Sequence, residues 1–251
     1  MNRTLASVAS ALLLAGTLAG ARPAAAEDRF RLELEGGAAW QLRNDFAVPG
    51  DTGTRIALDD ATTGPFAAFR GTLWADVSKR TSLRVLAAPL KTTASLTPDT
   101  PVDFNGTTFP AGRPLDVTYV FNSYRLSWVY RFKSSCPVSF RAGLTGKVRD
   151  AKIELTGSGL QSTKSNVGVV PLLYGGVRWQ MTDTLALDLD VDAAAAKQGR
   201  AEDVALRLEA KVSPKVDLFV GARTLEGGGD NDEVYSFAWF GYAVGGVAIK
   251  F

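Results

Sequence analysis

Charge in this chain is confined to one side of its extended segments, and that restricts its folds more than anything else in it. Ten stretches alternate with period two, as strands do when their two faces meet different surroundings. In the first, Phe30 to Leu42, the residues Phe30, Leu32, Leu34, Ala38, Trp40 and Leu42 share a face, and Arg31, Glu33, Glu35 and Gln41 take the other. Phe69 to Val77 opposes Arg70, Thr72 and Asp76 to its apolar set, and Leu83 to Pro89 opposes Arg84. Tyr124 to Phe132 turns Arg125, Ser127 and Arg131 away from Tyr124, Leu126, Trp128, Tyr130 and Phe132. Val138 to Val148 does the same with Arg141, Thr145 and Lys147. The second half continues with Val169 to Trp179 (opposing Tyr174 and Arg178) and Leu185 to Val191 (opposing Asp188, Asp190 and Asp192). Val204 to Val212 opposes Arg207, Glu209 and Lys211, Val216 to Ala222 opposes Asp217 and Arg223, and Tyr235 to Phe251 ends the series. No apolar face carries Asp, Glu, Lys or Arg. A lipid-facing Arg or Lys costs about 2–4 kcal/mol at the bilayer midplane, so a membrane-facing wall requires that absence.

The N-terminus points to export. Asn2 and Arg3 precede an apolar Leu5 to Leu18 run, and Ala24-Ala25-Ala26 supplies a small-residue cleavage pattern. Residues 1–26 are therefore expected to be a signal peptide and 27–251 the mature domain. No Cys lies near the cleavage site, so a lipoprotein is not expected. No second apolar run reaches helix-spanning length, and only closed barrels satisfy strand backbones in lipid. A soluble sandwich also alternates. Trp40, Phe69, Tyr124, Tyr130, Phe132, Trp179, Tyr235, Trp239 and Phe251 fall near strand ends, however, where membrane barrels place aromatic girdles. Removing Arg3 and Arg22 from 28 basic residues leaves 26 against 26 acidic ones, which gives no support to nucleic-acid binding.

The expected fold is an all-β, closed antiparallel transmembrane barrel of ten strands, with eight as the fallback. Short links at 78–80, 133–137, 181–184 and 213–215 alternate with longer ones at 44–64, 91–114, 156–166, 197–203 and 226–232. That spacing puts short turns and both termini on the periplasmic side and long loops outside. Pro89 requires an unpaired or bulged position. Val117, Tyr119 and Phe121 run out of phase with Tyr124, so a bulge or an extension above the membrane is expected there.

Tyr235 to Phe251, a two-sided strand ending on an aromatic, resembles the terminal strand of bacterial outer-membrane β-barrel proteins of the OmpA-like kind. The resemblance spans the mature length and rests on pattern, not on a family motif. It implies the bacterial outer membrane as location, outer-membrane lipid and the barrel-assembly machinery as partners, and Phe251 as the assembly signal.

Chemistry is sparse. The chain has no His. Barrel enzymes of the resembled group, the omptin proteases among them, rely on a catalytic His, so neither an enzyme nor any catalytic residue is expected. Asp51-Thr52-Gly53 spells the aspartic-protease triplet, but that chemistry needs two such carboxylates. Gly227 to Glu233 offers oxygen ligands without EF-hand spacing and reads as a hairpin tip; no metal or cofactor is expected. Cys136, the single cysteine, sits beside Pro137 in a turn and reads as incidental. Val102 to Phe109 reads as a small hairpin around an Asn-Gly type I′ turn, either stiffening its loop or offering a contact surface. Loops 44–64 and 91–114 are thus candidate sites for a surface ligand. The inward charges Glu33, Glu35, Arg70, Arg84, Arg125, Arg131, Arg141, Lys147, Asp188, Asp190, Asp192, Arg207 and Lys211 form a basic wall facing an acidic one. They are expected to pair into a plug that leaves a structural or surface-interaction protein. The alternative is a polarised narrow channel, with an enzyme lacking His third.

Overall fold

The computed structural model describes residues 28–61, 64–197 and 199–251; the expected signal peptide, 1–26, lies outside them. Its strands are β1 (Phe30–Ala47), β2 (Ile56–Ala57), β3 (Phe66–Asp76), β4 (Thr81–Ala88), β5 (Lys91–Leu96), β6 (Val102–Phe104) and β7 (Thr107–Phe109). These are followed by β8 (Leu115–Arg131), β9 (Val138–Gly157), β10 (Leu160–Gln180), β11 (Leu185–Ala196), β12 (Gly199–Lys211), β13 (Val216–Asn231) and β14 (Val234–Lys250). Each stave of the main sheet pairs antiparallel with the next, and β14 returns to β1 from Arg31↔Lys250 to Ala47↔Tyr235. The sheet is a closed ten-stave barrel, with β4 and β5 sharing one stave against β8. At the seam, Phe30 and Phe251 exchange backbone hydrogen bonds of 2.9 Å and stack their rings 5.7 Å apart.

The alternation sets which face meets which medium. Phe69, Leu126, Trp128, Phe140, Leu144, Val169, Leu173 and Val220 stand exposed on the outer wall, while Arg84, Arg125, Asp188 and Arg207 are buried inside. On β9 the apolar outer face runs from Val138 to Val148, the roughly 9–11 residues a tilted strand needs to cross the hydrocarbon. Beyond Val148 the two faces exchange character. Asp150, Lys152 and Glu154 now point outward, and Ile153 and Leu155 are buried inside. On β8, likewise, Val117 and Tyr119 are buried in phase with Arg125 and Ser127.

Of the two readings of β8, a bulge or an extension above the membrane, that exchange removes the bulge and agrees with the extension. Its register with β9 is unbroken from Asp116↔Thr156 to Arg131↔Arg141. The sequence slips phase because the inside of the barrel changes from charged to apolar, not because the strand does. Pro89 interrupts pairing without shifting register, since Ala88↔Ser123 and Lys91↔Val120 belong to one ladder. The register does shift in β1 between Gln41 and Arg43, so Leu42 keeps the outward phase of Trp40 while Asn44 and Phe46 turn in.

Three expected long loops are strand instead. β9 and β10 meet across Ser158 and Gly159, both at positive φ, a two-residue hairpin turn of the primed kind. Residues 199–203 lie in β12 and 226–231 in β13. These hairpins rise above the apolar belt as walls. Among the described residues, only the β1–β3 and β5–β8 connections carry added structure. There β6 and β7 form the expected hairpin, with Asn105 at φ 48° and Gly106 at φ 79°, as a type I′ turn requires.

Candidate functional site

The barrel interior divides into an apolar zone at the long-loop end, a zone of ion pairs below it, and a cavity at the short-turn end. The apolar zone is built from loops folded inward. Phe104 and Phe109 of the β6–β7 hairpin are fully buried with Phe46, Leu58, Leu115, Val117 and Leu155. Phe46 meets Phe104 edge-on at 5.9 Å, and Phe66 meets Phe240 at 6.1 Å. Burying each such ring contributes about 1.5–3 kcal/mol. Backbone bonds hold the hairpin down: Asn105 N donates to Val48 O (2.7 Å), and Thr54 N donates to Asp103 O (2.9 Å). Asn105 Nδ2 donates to Thr163 O on the β10 wall (3.0 Å). The hairpin closes the mouth with its apolar side and exposes Asp103, Asn105, Gly106 and Thr108. Burial pushes the Tyr119 phenol in this zone above its ordinary pKa, so it stays neutral.

Below it lie two ionic clusters. In the first, Asp192 accepts from Arg84 (2.6 Å), Arg125 (2.9 Å) and Thr145 Oγ1 (2.8 Å). Asp203 accepts from Arg125 (2.7 Å), Arg70 (2.9 Å) and Arg223 (2.7 Å). Arg223 also reaches Glu35 at 2.8 Å. In the second, Arg207 bridges Glu33 (2.9 Å) and Asp190 (3.0 Å), and Arg141 reaches Asp188 (2.8 Å). Arg178 bonds Glu209 at 2.6 Å, and Tyr174 donates to Asp190. Arg84 is held between the rings of Trp74 and Tyr174, 5.5 and 4.5 Å from their centroids. The pairs span the bore: Arg84 and Arg125 come from β4 and β8, Asp192 and Asp203 from β11 and β12. Small cavities of about 20 Å³ remain within the clusters, room for little more than one water each.

Three of the charges expected here stand apart. Arg131 lies at the rim, 38% exposed, on Asp76 at 2.6 Å. Lys211 is exposed at the end of β12, with no ion pair among the described residues. Inward phase alone therefore does not put a residue in the network; depth along the strand matters as well. Lys147 is fully buried yet forms no ion pair among the described residues, its Nζ resting 4.7 Å from the Phe121 ring centroid. Sequence reasoning missed Asp203, which joins three arginines, because 197–203 read as a loop. The signal was present: Asp203, Ala205, Arg207 and Glu209 continue one phase. Arg31, Arg178, Glu209, Asp217 and Arg223 were in phase as well and belong to the network. Asp51-Thr52-Gly53 is an exposed turn, and no cluster of metal-binding side chains occurs among the described residues.

No family model and no curated protein matches the chain. Among solved structures, it is similar to the outer membrane protease OmpT of Escherichia coli, with a TM-score of 0.55 and 10% identity over 89% of this chain and 97% of that one. The chain has the fold of a bacterial outer-membrane β-barrel. The transport unit of the autotransporter AIDA-I, also from Escherichia coli, superposes less well, with a TM-score of 0.49 and 10% identity over 98% of each chain. At 10% identity, the likeness to OmpT extends to architecture only. In this barrel apolar side chains pack the upper interior and ion pairs cross the middle.

Proposed function

We propose that this is a non-enzymatic protein of the bacterial outer membrane whose lumen is closed to solutes. It would serve envelope structure or surface contact through its long-loop end. The apolar outer belt supports membrane insertion, and the position of the short turns and termini supports a periplasmic lower end. One observation carries the closed lumen: Arg84, Arg125, Asp192 and Asp203 meet across the bore with almost no exposed surface. A ten-strand bore is narrow enough for such side chains to fill. The lack of His supports a non-enzymatic role, since a Ser or Thr hydroxyl here would lack its usual base. Surface contact would use the exposed tip at Asp103 to Thr108 and loops 44–64 and 91–114. Phe251 would direct assembly through the barrel-assembly machinery.

Liposome swelling tests the closed lumen. Vesicles carrying the refolded protein should swell in isosmotic sugar or amino-acid solutions no faster than empty ones. Swelling that scales with protein content would favour the second reading, a narrow passive channel. That reading draws on the cavity of about 600 Å³ at the short-turn end.

A further inference from the structure

We propose that the short-turn cavity is a binding site for a phosphate-class oxyanion, presented by the wall formed by β8 and β9. The inference stands whether or not the lumen conducts. The cavity, about 600 Å³, lies within the range of small-ligand sites and extends from the floor of the second ionic cluster to the turns. Its wall is arranged unfavourably for an empty barrel. Arg131 and Arg141 lie directly opposite each other on neighbouring strands, where like charges destabilise a sheet. The inward faces of β8 and β9 hold no carboxylate to separate them. Arg131 has one ion-pair partner, Asp76, itself 37% exposed. Arg141 reaches across to Asp188 and Asp190.

The unused hydrogen-bonding groups point the same way. Trp74 Nε1 and the Nε atoms of Arg131, Arg141 and Arg207 are buried with no acceptor among the described residues; all four residues line this cavity, although Arg141 Nε packs against Gly176, and Trp74 and Arg207 also line the small cavity above it. All four groups are donors. Their complement is a compact group with several acceptor oxygens and negative charge, and arginine forks match phosphate oxygens in shape and charge. Glu33, Asp188 and Glu209 on the same lining are already occupied by arginines, so their charge is largely offset.

The single cysteine supplies a reporter. Cys136 is exposed and lines the cavity mouth. The full mature chain, refolded in detergent and labelled at Cys136 with an environment-sensitive fluorophore, would be titrated with inorganic phosphate and separately with a short-chain phosphatidic acid. We expect a saturable change with at least one of them. Tighter binding of phosphate would assign a free anion, and tighter binding of phosphatidic acid a lipid headgroup. R131Q, which leaves the ionic clusters untouched, should weaken binding about tenfold, the loss of one charge-assisted hydrogen bond. R43Q, on the outer wall, should leave it unchanged. No saturable response to either probe, or a response that R131Q does not alter in a chain still showing heat-modified gel migration, would overturn the site.

Discussion

Asp203 separates three guanidinium groups that would otherwise repel one another at close range. Its removal leaves Arg70, Arg125 and Arg223 with too few counter-charges in a buried setting. Breaking a buried ionic group in this way costs about 3–5 kcal/mol. We expect D203A to lower the urea midpoint of the refolded barrel by that order, and D203N to recover only part of it. Lys147 presents the opposite case, a buried amine with no ion-pair partner among the described residues. Replacing it by Met keeps the volume and removes a polar group that is costly to bury unpaired, so K147M should raise the urea midpoint; a lower midpoint would mean that the amine has a stabilising role. Gly176 is directly across the strand pair from Arg141, and a Cβ there would stand 2.6 Å from Arg141 Nε. G176A should cost about 1–3 kcal/mol, the usual effect of overpacking, read from the same denaturation curve. Arg84, Asp188, Asp190, Asp192 and Arg207 were legible in the sequence as inward charges because alternation states which face a residue takes. Which of those charges meet was not legible. Pairing across the bore depends on strand tilt and register, so Lys211 was included, whereas Asp203 was missed because 197–203 read as a loop.

At the scale of elements, the β6–β7 hairpin is both a lid and a surface tip. Its Asn-Gly turn was readable because only a few residues accept two positive φ values in succession. Its docking was not, since Val102, Phe104 and Phe109 alternate equally well in a hairpin standing free. Truncating Phe104 to Ala should cost roughly 3–5 kcal/mol of lid packing. The measurable result is faster proteolysis within 97–113 while the barrel keeps its heat-modified migration; lost assembly would mean that the hairpin belongs to the barrel's folding core. Phe251 stacks on Phe30 at the seam, so F251A removes a packing contact as well as the assembly signal proposed for it. In detergent, F251A should refold to wild-type gel migration. In cells it should fail to insert. Normal insertion in cells would leave Phe251 with seam packing alone.

Over the whole molecule, one strand pattern serves three media. Between Val138 and Val148 the outside is apolar and the inside charged; above Val148 the arrangement is reversed. Alternation revealed the ten staves and the even, closed topology because each phase is repeated by its neighbours. It misplaced three loops because the hairpins beyond the belt alternate with opposite polarity, which reads as a break in the pattern. The reversal also explains why the lumen is filled at two depths, by apolar packing under the hairpin and by ion pairs beneath it. Removing residues 100–110 should therefore unseat the first barrier and leave the second. Single-channel recording in planar bilayers tests this most directly, with wild type and the 100–110 deletion side by side. We expect neither protein to give discrete conductance steps. Reproducible, ion-selective openings from the wild-type barrel would contradict a lumen closed by its own side chains.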